Sequence, residues 1–127
     1  MVPDELRYTA EHEWVLATAD DTVRVGITDY AQTRLGDVVY VQLPVVGTSV
    51  APGEPVGEVE STKSVSEVFA PVAGEVIARN DELEDHPELV NSDPYGAGWM
   101  IEIRLQEASA MDSLMGAQEY STLTEEA

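Results

Sequence analysis

Lys63 is the only lysine among the six strong cations of this 127-residue chain; the other five are Arg7, Arg24, Arg34, Arg79 and Arg104. A guanidinium stays charged and is no acylation target, whereas a lysine amine can lose its proton and be joined to a carboxylate. Lys63 sits in Val59-Glu60-Ser61-Thr62-Lys63-Ser64-Val65-Ser66-Glu67-Val68, between two runs that read as strands. Small hydroxyl neighbours leave the amine sterically open, and Glu60 and Glu67 frame it with negative charge that an attaching enzyme could read. A Schiff-base nucleophile would want the opposite, a desolvating apolar pocket that lowers its pKa. The pattern fits a graft site displayed at a hairpin tip. The alternative is an ordinary surface lysine left behind by an acidic, arginine-preferring composition.

Other chemistry is poorly supported. His12 and His86 are joined to no nucleophile by any pattern, and Ser61, Ser64 and Ser66 lack a Gly-x-Ser-x-Gly elbow. The glycines match no phosphate loop. Glu84-Asp85-His86-Pro87-Glu88 lacks the spacing of a calcium loop and reads as a solvated acidic face, so no metal site is expected. With no cysteine, disulfides, thiolate metal sites and cysteine nucleophiles are all excluded.

The elements that must position Lys63 read mainly as strands. Trp14-Val15-Leu16 and Thr22 to Ile27 flank the polar turn Ala19-Asp20-Asp21 and predict a hairpin. Thr28 can cap a short helix that Gly36 ends, and Asp37 to Leu43 alternates as a half-buried strand. Pro52-Gly53-Glu54-Pro55-Val56-Gly57-Glu58-Val59 is echoed by Pro71-Val72-Ala73-Gly74-Glu75-Val76-Ile77, each a proline-glycine turn feeding a valine-rich strand, with Lys63 between them. This predicts two sheets packed face to face. A single helical turn at Pro87 to Val90 and a last strand from Trp99 to Leu105 follow. The tail reads as a helix capped by Ser109, striped by Met111, Leu114 and Met115, and stopped by Gly116.

Hydrophobic residues make up 43% of the chain, enough for one core, and its length suits one domain. The net charge of −19 disfavours nucleic acid and anionic membrane and favours partners with basic docking surfaces. The opening Met1-Val2-Pro3-Asp4-Glu5-Leu6 lacks a signal-peptide pattern and no apolar run could span a bilayer, so a cytoplasmic protein is expected.

The order of motifs resembles the H proteins of the glycine cleavage system. The matching stretches are Tyr8-Thr9-x-Glu11-His12-Glu13-Trp14-Val15, Val25-Gly26-Ile27-Thr28-Asp29-Tyr30-Ala31-Gln32 and Leu35-Gly36-Asp37-Val38-Val39-Tyr40-Val41. Leu43-Pro44-x-x-Gly47, Glu60-Ser61-x-Lys63, Ala70-Pro71-Val72-x-Gly74-Glu75-Val76, Pro87-Glu88-Leu89-Val90-Asn91 and Asp93-Pro94-Tyr95-Gly96-x-Gly98-Trp99-Met100 complete the series. The resemblance runs from about Tyr8 through the tail. It departs slightly at Ser64 and Glu67, where such proteins often carry Ala or Thr and Asp. Thr62-Lys63-Ser64 matches neither the Met-Lys-Met of biotin domains nor the Asp-Lys-Ala of 2-oxoacid dehydrogenase lipoyl domains.

The resemblance implies a mainly β, lipoyl-domain-like barrel-sandwich hybrid of two packed antiparallel sheets, with short helices and a C-terminal helix. It implies one carrier domain over residues 1–127, with a core of about 8–106 and a helical tail of about 109–124, and a monomer. Lipoic acid would be amide-linked to Lys63, and the protein would be a non-catalytic shuttle. Its partners would be a pyridoxal-phosphate glycine decarboxylase, a tetrahydrofolate-dependent aminomethyltransferase, dihydrolipoamide dehydrogenase and a lipoate-attaching enzyme. Within that frame the His12-Glu13-Trp14 segment is expected to form a docking cleft, with Glu13 holding the cationic aminomethyl group. The alternative makes Trp14 core and Glu13 an exposed strand-start residue. The competing functions are a lipoyl relay to other complexes and an unmodified acidic interaction module.

Overall fold

The computed structural model describes residues 2–19 and 21–126. Met1, Asp20 and Ala127 lie outside the described residues, and with Asp20 the centre of the expected first turn. Two antiparallel sheets form the body. The larger has six strands in the order β1 (Arg7–Tyr8), β2 (Glu13–Ala19), β3 (Thr22–Ile27), β9 (Ile101–Leu105), β8 (Gly74–Arg79) and β5 (Ser49–Val50). The smaller has β4 (Val38–Gln42), β6 (Pro55–Ser61) and β7 (Val65–Phe69), in that order. This is the mainly β barrel-sandwich architecture expected, with short helices added.

Alternation explains the layering. Val23, Val25 and Ile27 of β3 and Ile101, Ile103 and Leu105 of β9 turn the same way, into a core closed by Val38, Val41, Val59 and Val68 of the smaller sheet. Each such side chain contributes roughly 1.5–3 kcal/mol on burial. A second, smaller core joins Leu6, Tyr8, Trp14 and Tyr120. Trp14 is fully buried there, and its indole N–H donates to the Pro94 carbonyl at 2.9 Å. Gly26 lies opposite it, where a Cβ would come within 2.8 Å of the indole ring, so the close approach requires glycine.

The helices are α1 (Asp29–Leu35), α2 (Glu82–Asp85), α3 (Leu89–Ser92) and α4 (Ala117–Glu126). Thr28 caps α1 by accepting the Ala31 N–H, and Gly36 terminates it at φ 82°. The tail departs from expectation. Ser109 to Ser113 form part of a 3-10 turn, Ala108–Ser113, and Met115 pairs with Tyr8 as an isolated β-bridge. Gly116 therefore precedes the C-terminal α-helix and does not end it.

Candidate functional site: the lysine hairpin and its cleft

Lys63 lies at the tip of the β6–β7 hairpin and is exposed. The turn is built by Ser61. Its N–H donates to the Ser64 carbonyl at 2.8 Å, and its hydroxyl donates to that carbonyl while accepting the N–H groups of Lys63 and Ser64 at 3.3 and 3.0 Å. The Thr62 N–H donates to the Asp37 carbonyl at 3.0 Å, tying the tip to the start of β4. The aliphatic stem of Lys63 runs over Gly36, where a Cβ would stand 3.2 Å from Lys63 Cε. Gly36 is held in turn by Asn91, whose amide donates to the Gly36 carbonyl and whose oxygen accepts the Val38 N–H.

Beside the turn a cleft of about 520 Å³ opens between α1 and β7. Residues 64–68 form one wall, Tyr30 and Arg34 belong to the other, and Glu11, His12 and Glu13 complete the lining. The Arg34 guanidinium rests over the Tyr30 ring, 4.9 Å from its centroid.

Glu13 is 2% exposed, so the reading of it as an exposed strand-start acid is wrong. Its Oε1 accepts the Thr9 hydroxyl at 2.7 Å and its Oε2 accepts the Phe69 N–H at 3.2 Å. Burial pushes its carboxyl up to about 7, against the opposing pull of those two hydrogen bonds, and Glu11 adds a smaller upward push. His12 shares the cleft, and burial and the Arg34 charge lower its pKa while Glu11 acts the other way. Glu67 lies on the β7 wall. Glu60 is exposed on the smaller sheet, between Tyr40 and Val65 in register, outside the cleft lining. Trp14 is also outside it, as core. Of the residues singled out from sequence, His12, Glu13 and Glu67 thus come together. Thr9, Arg34 and Tyr120 join them without any motif in the sequence that marks them for the site. The Tyr120 hydroxyl lies 2.8 Å from both His12 Nδ1 and Thr28 Oγ1, a contact across most of the chain with no local signal.

A lysine displayed on a stapled hairpin of two packed antiparallel sheets defines a protein of the lipoyl-domain class. The family model for the glycine cleavage H-protein matches residues 6–127. A curated glycine cleavage system H protein from Mycobacterium bovis is 58% identical over 131 residues, covering 98% of each chain. The chain belongs to the glycine cleavage H-protein family, the lipoyl carriers of the glycine cleavage system. A similar relative from Mycobacterium avium is 59% identical over 129 residues, with 98% of each chain covered. The crystal structure of a glycine cleavage system H protein from Mycobacterium marinum matches with a TM-score of 0.89 at 44% identity, covering 98% of this chain and 99% of that one. Among the described residues no three His, Cys, Asp or Glu side chains are grouped to hold a metal ion, and no helix is long and apolar enough to cross a membrane.

Proposed function

We propose that Lys63 carries lipoate through an amide bond and that the chain is one carrier domain, core and tail together, which does no catalysis itself. The observation that carries this reading is the position of Lys63: exposed at a stapled tip, its stem laid over Gly36, beside a cleft lined by a buried carboxylate. Lipoate supplies the disulfide-dithiol chemistry, and the protein has no cysteine to exchange with it. The chain's own residues present and shelter the arm. Ser61 fixes the pivot. Glu13 accepts the ammonium of the aminomethyl group, which a glycine decarboxylase loads and an aminomethyltransferase removes. The cleft limits the access of water to that end of the arm. Dihydrolipoamide dehydrogenase would be a further partner, and an attaching enzyme would read the frame of Glu60 and Glu67. The charge of −19 steers these partners through basic surfaces.

Intact-mass measurement of protein from its native host tests the attachment. One lipoyl mass is expected, and Lys63→Arg should remove it without loss of folding, because an exposed tip side chain adds little packing. Glycine cleavage supported by the arginine variant would overturn the assignment.

A further inference from the structure

The cleft holds a second polar group with its own supporting chain. His12 has φ 71°, the one non-glycine residue with positive φ among those described. This is a costly backbone conformation, held here by the His12 N–H on the Thr9 carbonyl and the Thr28 N–H on the His12 carbonyl. It brings Nδ1 within 2.8 Å of the Tyr120 hydroxyl, which is also 2.8 Å from Thr28 Oγ1. Tyr120 reaches in from α4, is fully buried and stacks on Tyr8 with ring centroids 4.6 Å apart and planes 9° apart.

Counting protons orients the chain. Thr28 is fully buried, and its oxygen already accepts the Ala31 N–H, so its hydroxyl proton goes to its one other hydrogen-bond partner among the described residues, the Tyr120 oxygen. The Tyr120 proton must then go to His12 Nδ1. A neutral imidazole whose Nδ1 accepts carries its own proton on Nε2. Nε2 has no hydrogen-bond partner among the described residues, yet no buried side-chain nitrogen or oxygen there lacks one. Nε2–H therefore faces solvent, and the cleft is what His12 lines.

We infer that His12 is held by Thr28 and Tyr120 as a neutral hydrogen-bond donor aimed into the cleft, where it takes a sulfur of the arm while Glu13 takes the amine. The inference rests on the carrier reading above. The assignment to sulfur follows from chemistry. The loaded end of the arm offers an ammonium, which only donates, a thioether sulfur, which only accepts, and a free thiol, which does both weakly. Glu13 can take the ammonium or the thiol proton but not the thioether, whose lone pairs only a donor beside it can satisfy. A protonated His12 would repel the ammonium; burial and the neighbouring Arg34 both oppose that form. Tyr120 is then a positioning residue, and the C-terminal helix is part of the site.

Long-range proton–nitrogen correlation spectra of the lipoylated protein test this directly. His12 should appear as the Nε2–H tautomer, and aminomethyl loading should move the Nε2 signal more than the Nδ1 signal. Tyr120→Phe keeps the ring stack but removes the donor to Nδ1. It should mix the tautomers and shorten the lifetime of the loaded arm, without partner enzymes, by about fivefold, the factor an ordinary hydrogen bond contributes. An Nδ1–H tautomer in the wild-type protein, or Nε2 signals unmoved by loading, would overturn the inference even if Tyr120→Phe failed to fold. Equal lifetimes in the folded variant would overturn it as well. Intact mass taken first separates the failures: no lipoyl group on Lys63 sinks the carrier reading, whereas a lipoylated protein failing these tests sinks only the role given to His12.

Discussion

Glu13 Oε2 accepts the Phe69 N–H at 3.2 Å, which couples the buried acid of β2 to the strand leading away from Lys63. The carboxylate and the lysine thus sit at two ends of one wall. A group tethered at Lys63 and laid along β7 would meet Glu13 at the far end of the strand.

That burial has a pH signature. The Glu13 carboxyl rises from an ordinary 4.5 to about 7, so over that interval the folded chain keeps a proton that the unfolded chain has released. Stability is therefore greater on the acid side and falls as pH rises. At ~1.4 kcal/mol per pKa unit the loss is ~2–3 kcal/mol across the interval. Urea unfolding at about pH 5 and about pH 8 should show the wild-type chain losing that much more than Glu13→Gln. A cation brought to Glu13 pulls its pKa back down, so the loaded arm should live longer as pH climbs through the same interval. Identical pH responses of the two proteins would place Glu13 at its ordinary value.

Glu58 and Glu67 face each other across β6 and β7, a like-charge pair in direct register. Such pairs cost a few tenths of a kcal/mol, so Glu67→Gln should stabilise the fold by ~0.5 kcal/mol at low salt and by almost nothing at high salt. The same substitution should slow attachment of lipoate. Thermal melts and attachment rates across ionic strength measure both effects, and a variant that gains stability with no loss of rate would remove Glu67 from the recognition frame.

Gly36 stands at φ 82° and ψ −160°, a region nearly closed to residues with a Cβ. Gly36→Ala should cost ~1–3 kcal/mol in urea unfolding. The added methyl would also crowd the Lys63 stem at 3.2 Å. The Lys63 side-chain resonances should shift in Gly36→Ala and stay put in Thr33→Ala, an exposed change on the same helix. Unmoved Lys63 signals would mean that the stem does not rest there in solution.

Local chemistry was easy to read where it acts over a few residues. The Thr28 cap, the Gly36 stop, the first hairpin and the exposed lysine turn all follow from neighbours within one turn or one strand pair. The two-residue strand β1 was not anticipated, because it exists only through its partners: Tyr8 pairs with Trp14 on one side and with Met115 on the other. That bridge also undid the tail. Met111, Leu114 and Met115 have helical spacing, but the pull of Tyr8 holds Met115 extended, and the helix restarts after Gly116. The burial of Glu13 was equally invisible, since one acid among 25 looks like the rest until Thr9 and Phe69 close over it. Helix α2 leaves little trace in the sequence, because Glu82–Asp85 carries an acidic surface face and a single inward residue, Leu83.

The stapled turn would set the mechanics of an arm carried on Lys63. With Ser61 closing the loop and Thr62 bound to Asp37, the backbone at Lys63 is a fixed pivot, so the reach of anything attached there is a short tether of constant length. A short tether holds its free end near its own cleft at an effective concentration on the order of millimolar. Docking of the arm then needs a contact no tighter than that to divide its time evenly between cleft and solvent. The same contact, offered to free lipoamide in dilute solution, would go almost unoccupied. An arm held by so weak a contact would leave as readily as it docks, as the carrier role proposed for Lys63 requires.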